Sequence, residues 1–297
     1  MPYVRTISAI VAIVIALMMI ILGGLYFTIC FAVIVFLAQL EYFKLVKAKG
    51  IEPAVKTTIV VSQLLLVTAT YIPSLTDATF ALAGALICFY LLFQPKLATI
   101  ADISTSILGL FYVAYLPSYW IRLRVSLEQN SNYTQAIPNI HNLPLDGYFP
   151  ENWLDFHHFP DALKITFLAM ACIWAADIGA YVIGKNFGKT KLSEISPKKT
   201  VEGALFGILG SILMGIGGAW LLDWVYWQFI GGILGLLIGI VSLLGDLTES
   251  MMKRDAGVKD SGELIPGHGG ILDRTDSYVF TAPLVYYFVT LILPILL

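Results

Sequence analysis

Long apolar runs recur along this chain, each closed by a glycine, a proline or a short polar segment. A helix needs about 20 mostly apolar residues to span a bilayer. Nine stretches approach that length: roughly 7–22, 25–43, 57–73, 77–93, 104–121, 162–184, 203–223, 226–246 and 277–296. Gly23-Gly24, Pro73, Pro95, Pro117, Pro160 and Pro197 stand as breakers along them. The pattern predicts an all-α, polytopic integral membrane protein with about nine transmembrane helices. The first pair is the open point, because the 7–40 run reads as a hairpin or as one long tilted helix. Arg5 before an apolar run is reminiscent of a signal peptide, but no small-residue cleavage site follows, so a retained first helix is expected. Residues 1–160 then hold the N-terminal helices and a loop at about 122–161. Residues 161–297 hold the remaining helices and two polar loops, 185–202 and 247–276.

Composition leaves little room for another class. The chain is 58% hydrophobic and only 13% charged, where soluble domains carry about 25%. Its mean hydropathy of +0.81 needs a bilayer. Net charge is −2 and says little, but the distribution of charge says more. With nine alternating helices, 15 of the 18 Lys and Arg fall on the side of the N-terminus and the two polar loops, and Arg122, Arg124 and Lys164 on the other. Basic residues accumulate on the cytosolic side, so the N-terminus and both loops are expected there, in the cytoplasmic (inner) membrane. The opposite loop carries Glu128, Asp146, Glu151, Asp155 and Asp161 with His141, His157 and His158. Without an i, i+4 His pair or an HExxH spacing it reads as a solvated acidic cap rather than a metal site. Cys30, Cys88 and Cys172 lie in apolar runs and read as small buried hydrophobes.

Three polar clusters interrupt the expected cytosolic side. Asp177 lies inside an apolar run, where a carboxylate is expensive and faces a partner, an ion or a water-filled cavity. Tyr181 and Lys185 follow at i+4 and i+8 and extend its face toward the helix end. Interhelical hydrogen bonding is the competing account of Asp177. The second cluster runs from Lys185 and Lys189 to Ser196-Pro197-Lys198-Lys199-Thr200, directly before a helix. Backbone N–H groups there, beside lysines and hydroxyls, suit an anion; ordinary positive-inside decoration is the alternative.

The third cluster, Ser250 to Asp276, is the densest. Asp246, Glu249, Ser250 and Lys253 recur at i, i+3, i+4 and i+7, one polar face at a helix end. Lys253, Arg254 and Lys259 are donors suited to a polyphosphate. His268-Gly269-Gly270 lets backbone approach a ligand closely. Asp273 and Asp276 point the same way and, with Asp246, offer oxygen ligands to a hard divalent ion. Transfer of a phosphoryl or nucleotidyl group to a lipid is the activity such a site fits. An ion-coupled transporter competes, but transporters show broken helices in matching halves, and no such symmetry is present.

Ser250, Lys253-Arg254, Lys259-Asp260, Gly262, Pro266, His268-Gly269-Gly270 and Asp273-Arg274-Thr275-Asp276 resemble the signature of phosphatidate cytidylyltransferases (CDP-diacylglycerol synthases). The resemblance extends upstream through Asp177, Ala180-Tyr181, Gly184, Phe187-Gly188-Lys189 and the segment from Ser196 to Gly203. It implies transfer of the cytidylyl group of CTP to phosphatidic acid, giving CDP-diacylglycerol and pyrophosphate in phospholipid biosynthesis. The partners implied are CTP, phosphatidic acid and the bilayer, with no nucleic acid; a homodimer is compatible with it. The runner-up acceptor is an isoprenoid-ether phosphatidate or a polyprenol.

On this reading Mg²⁺, with Mn²⁺ as a substitute, is held by Asp246 and Asp273 together with Asp276 or Asp177, and the number of carboxylates leaves room for a second cation. Lys253, Arg254, Lys259 and Arg274 hold the triphosphate and the departing pyrophosphate, and Asp260 belongs to the same catalytic set. His268 bonds a phosphate or caps the Gly-Gly turn. Tyr181, Lys185, Lys189, Ser196, Lys198, Lys199, Thr200, Ser250, Gly269 and Gly270 are expected to contact substrate.

Overall fold

A computed structural model of the 297-residue chain describes residues 2–127, 148, 159–265 and 269–296, with side chains from Ser8 onward apart from Ala9. The helices are α1 (Pro2–Leu22), α2 (Gly24–Ala48), α3 (Val55–Tyr71), α4 (Thr76–Leu92), α5 (Ile100–Leu110), α6 (Leu116–Arg124), α7 (Asp161–Phe187), α8 (Val201–Leu221), α9 (Trp227–Asp255), α10 (Leu272–Val279), α11 (Thr281–Tyr287) and α12 (Leu293–Leu296). No strand occurs among the described residues, and two isolated bridges pair Lys191 with Thr200 and Ile265 with Gly269.

Seven helices among the described residues are long and apolar enough to cross a membrane, so the chain is a multi-pass membrane protein. Of the two other expected spans, α3 is an apolar helix of 17 residues, and α1 is described with its side chains as an unbroken apolar run only from Ile10 to Leu22, so the count of nine is not established. Pro117 does not end its helix. It sits in the first turn of α6, after a π turn at Phe111–Tyr115 that joins α5 to α6 in one rod. A proline removes one N–H and crowds the preceding turn, and a wider turn absorbs both. Likewise α9 continues nine residues beyond the expected 246, because polar residues sustain a helix past the apolar run.

The chain forms two compact units, and α9 and α10 contribute residues to both. One unit contains the residues up to Ser126 with Met252–Thr275. Its first two helices are separate, which resolves the 7–40 run. Gly23 has φ +63°, and a Cβ there would lie 2.5 Å from Arg124 Nη2. Arg124, fully buried, donates to the carbonyls of Ile20 (2.6 Å) and Ile21 (2.8 Å) at the end of α1, where a cation also meets the negative end of the helix dipole. Buried polar pairs tie the helices together, as lipid-embedded helices require. Gln39 Nε2 donates to Ser62 Oγ at 2.6 Å and Thr28 bonds Thr70 at 2.9 Å.

The other unit contains residues 161–251 and 276–296, and its helices meet through glycines. A Cβ at Gly207 would lie 2.6 Å from the Ala176 carbonyl oxygen, and one at Gly179 2.9 Å from that of Phe206, so α7 and α8 touch backbone to backbone. Gly231, Gly235 and Gly239, four apart on α9, do the same against α8. Gly245 packs on the Asp276 carbonyl, where a Cβ would sit at 2.6 Å, and this fixes α9 beside α10.

Candidate active site

In the second unit, Gly245 sets the height at which the neighbouring acids meet. Asp246 and Glu249 on α9 lie within electrostatic reach of Asp276 on α10, and Asp177 on α7 lies within a weaker reach. Asp276 and Glu249 are buried, and Asp276 Oδ1 accepts from Ser277 N at 2.8 Å. Asp246 is ion-paired with Lys199, and Ser250 Oγ lies 3.5 Å from its Oδ1, at the outer limit of a hydrogen bond. Three of the expected metal-binding carboxylates, Asp177, Asp246 and Asp276, are thus gathered in one region, with Glu249 as an unforeseen fourth. Among the described residues no three His, Cys, Asp or Glu converge as ligands of one ion. The donor chemistry nevertheless fits a hard divalent cation, which takes carboxylate oxygens.

On α7, Lys185 Nζ lies 3.4 Å from Tyr181 Oη and 5.5 Å from its ring centroid. The lysine-rich segment folds back on itself. Leu192 N donates to Lys199 O and Val201 N to Thr190 O, both at 2.9 Å, and Lys199 N donates to Ser196 O. Thr200 is the N-cap of α8, its hydroxyl accepting from Gly203 N at 3.1 Å. Glu202 accepts from Lys189 N and Thr190 N at 3.2 Å. The backbone donors that the sequence offers to an anion are largely spent within the chain, which leaves the side chains of Lys189 and Lys198 exposed and that of Lys199 on Asp246.

In the first unit, the polar loop is built around Asp273. Lys253 Nζ donates to Asp273 Oδ1 at 2.6 Å, and the side chains are only 11% and 9% exposed, so this charge pair is screened far less than a surface pair. Asp273 Oδ2 accepts from Ser261 N (3.0 Å), Ser261 Oγ (3.0 Å) and Gly270 N (2.8 Å). Gly269 has φ +86°, and a Cβ on it would lie 2.9 Å from Asp273 Oδ2. Both glycines of the turn therefore serve the carboxylate directly. Arg254, Lys259, Asp260 and Arg274 are exposed; Arg254 Nη1 donates to Val258 O at 2.9 Å. His268 lies outside the described residues, as do His141, His157, His158, Glu128, Asp146, Glu151 and Asp155.

Glu41, to which the sequence reading gave no role, is 4% exposed. Its Oε1 accepts from Ile271 N (3.1 Å) and its Oε2 from Leu272 N (2.9 Å) and Ser261 Oγ (3.1 Å). Like Asp177, Glu41 in α2 is an acid within an apolar run, where a carboxylate needs a partner. A cavity of about 430 Å³ in this unit, lined by Lys47, Lys56, Tyr90, Lys96 and Asp102 among others, contains none of the expected site residues.

Comparison with known proteins shows the family. Residues 3–292 match the cytidylyltransferase family. A phosphatidate cytidylyltransferase of Synechocystis sp. is 65% identical over 296 residues, covering 100% of this chain and 99% of its own length. Phosphatidate cytidylyltransferase 4, chloroplastic, of Arabidopsis thaliana is 40% identical over 90% of this chain and 68% of its own length. The Bacillus subtilis phosphatidate cytidylyltransferase is 41% identical over 46% of this chain and 54% of its own length. With similarity running from α1 to the last helix, the chain belongs to the cytidylyltransferase family.

Proposed function

We propose that this protein transfers the cytidylyl group of CTP to phosphatidic acid, releasing pyrophosphate and leaving CDP-diacylglycerol in the membrane. The observation that carries this reading is the 65% identity, over the whole chain, to a protein named for that reaction. The chemistry of the polar clusters supports it. A phosphate monoester has a second pKa near 6, so the phosphatidate nucleophile is largely ionised at neutral pH and needs no dedicated base. One of its oxygens bonds to the α-phosphorus of CTP as the bond from that phosphorus to the β-phosphate bridging oxygen breaks. The enzyme's work is to bring two polyanions together and neutralise charge.

The exposed cations Arg254, Lys259 and Arg274 suit the triphosphate and the leaving pyrophosphate. Lys253, oriented by Asp273, presents its ammonium from a nearly buried position, where a charge acts more strongly than in water. Lys198, Lys199 and Lys189 suit further phosphate contacts, and Asp246, Asp276 and Asp177 suit the holding of a divalent ion. When bound, such an ion supplies charge neutralisation and orientation of phosphate oxygens. The charge distribution supports a cytosolic site in the inner membrane, where CTP arrives from water and the lipid from the side.

The purified protein in detergent micelles, given α-labelled CTP and phosphatidic acid, is expected to yield labelled CDP-diacylglycerol. Labelled lipid with only an isoprenoid or polyprenol acceptor would overturn the acceptor. Absence of labelled lipid with every acceptor, from monodisperse protein, would overturn the transferase reading.

A further inference from the structure

Glu41 lies on α2, 230 residues before Ile271 in the sequence, and its carboxylate is spent on the start of α10. The residue immediately before α10 is Ile271, whose side chain has no acceptor with which to cap the helix. Glu41 supplies that function from another helix, through both Ile271 N and Leu272 N. A carboxylate at a helix N-terminus also meets the positive end of the helix dipole. From the same carboxylate a hydrogen-bond chain runs through Ser261 Oγ to Asp273 and on to Lys253. Ser261 has one hydroxyl proton for two acceptors, Glu41 Oε2 at 3.1 Å and Asp273 Oδ2 at 3.0 Å, so the two acids share it.

Gly262 is explained by the same residue. A Cβ there would meet Glu41 first, with Oε1 at 2.5 Å, Cδ at 2.8 Å and Cγ at 3.1 Å. Gly270 likewise has no room for a Cβ beside Ser261 Oγ and Glu41 Oε2. Two glycines of the loop are thus required by one glutamate of α2.

We propose that Glu41 is a positioning residue for cytidylyl transfer: it holds Ser261 and the start of α10 so that Asp273 and Lys253 stand in reacting geometry. The proposal rests on the transferase reading for its activity measurement. A misplacement of order 1 Å costs about 10²-fold in rate, so Glu41→Ala is expected to lower kcat by about 30-fold or more per folded enzyme. The KM for CTP is expected to change less than kcat, because Arg254 lies on α9 away from the backbone that Glu41 holds, and a loss mainly in kcat marks transition-state geometry. Glu41→Gln, which keeps the shape but turns an N–H₂ toward a backbone donor, is expected to fall between the two and covers the case in which Glu41→Ala misfolds.

The discriminating measurement is a double-mutant cycle with Gly262→Ala. In the wild-type background that methyl meets Glu41, and kcat is expected to fall at least tenfold; in the Glu41→Ala background the space is open, and the further loss is expected to be under about threefold. Trypsin cleavage after Lys259 reports the same coupling without turnover. It is expected to accelerate in each single variant and no further in the double, so a failure of the transferase reading leaves this arm intact. The proposal is overturned if Glu41→Ala keeps kcat within threefold, if lost activity merely tracks lost folded protein, or if Gly262→Ala costs the same in both backgrounds.

Discussion

Replacing Asp273 by Asn removes one charge and leaves the shape. The amide oxygen can still accept from Ser261 N and Gly270 N, now as neutral hydrogen bonds. The amide nitrogen then faces Lys253 Nζ, donor against donor, where a 2.6 Å ion pair had stood. Charged hydrogen bonds contribute about 1.5–3 kcal/mol and neutral ones about 0.5–1.5. Breaking one side of a largely buried pair costs about 3–5 kcal/mol. The retained backbone bonds put Asp273→Asn at the lower end, about 3 kcal/mol. At 1.36 kcal/mol per decade that is roughly a 150-fold loss if the whole cost falls on the reacting geometry. Direct participation of Asp273 in holding an ion would deepen the loss.

The assay is the initial rate of labelled CTP conversion into extractable CDP-lipid, per mole of monodisperse protein. Lys253→Met, measured beside it and combined with it, adds a control: two residues acting as one unit give a double variant no worse than the poorer single. Activity within threefold of wild type for Asp273→Asn, or additive losses in the double variant, would refute the reasoning.

Removing divalent ions with EDTA is expected to abolish turnover and Mg²⁺ to restore it, while Asp246→Asn shifts the Mg²⁺ needed for half-maximal rate upward by at least tenfold, about 1.4 kcal/mol of lost ion binding; metal-independent turnover would sink the ion's role. Gly207→Leu places a side chain where even a Cβ lies 2.6 Å from the Ala176 carbonyl oxygen. It is expected to separate α7 from α8 and lower the thermal midpoint in detergent by several degrees, for a cost of about 1–3 kcal/mol. An unchanged midpoint would show that this backbone contact contributes little to stability.

Asp246, Asp273 and Asp276 were grouped from their spacing at helix ends and the oxygen-ligand chemistry of a hard ion, and Asp177 was joined to them through the family resemblance. The fold brings Asp177, Asp246 and Asp276 together through Gly245 and the glycine faces of α8 and α9, features visible in the sequence only as composition. Lys253 and Asp273 were both singled out, but as separate phosphate and ion ligands. Their direct pairing depends on how the loop closes, and the chain between them gives no period from which to read that. Thr200 was assigned to an anion and is engaged as a helix cap, because a threonine before a helix satisfies its N–H groups first.

What the sequence determined by itself is the class of molecule and the inventory of its chemistry. Apolar runs of spanning length force helices in a bilayer, since backbone polar groups find no other partner there, and the charged loop gathers the cationic and carboxylate groups assigned to the proposed site. Only the tertiary structure decided that this loop is organised from the N-terminal half. Glu41 lies 230 residues from the backbone it caps, and hydrogen bonds over such a separation leave no local trace. They depend on which segments the fold brings together, here with Gly262 and Gly270 leaving the room that the Glu41 carboxylate occupies.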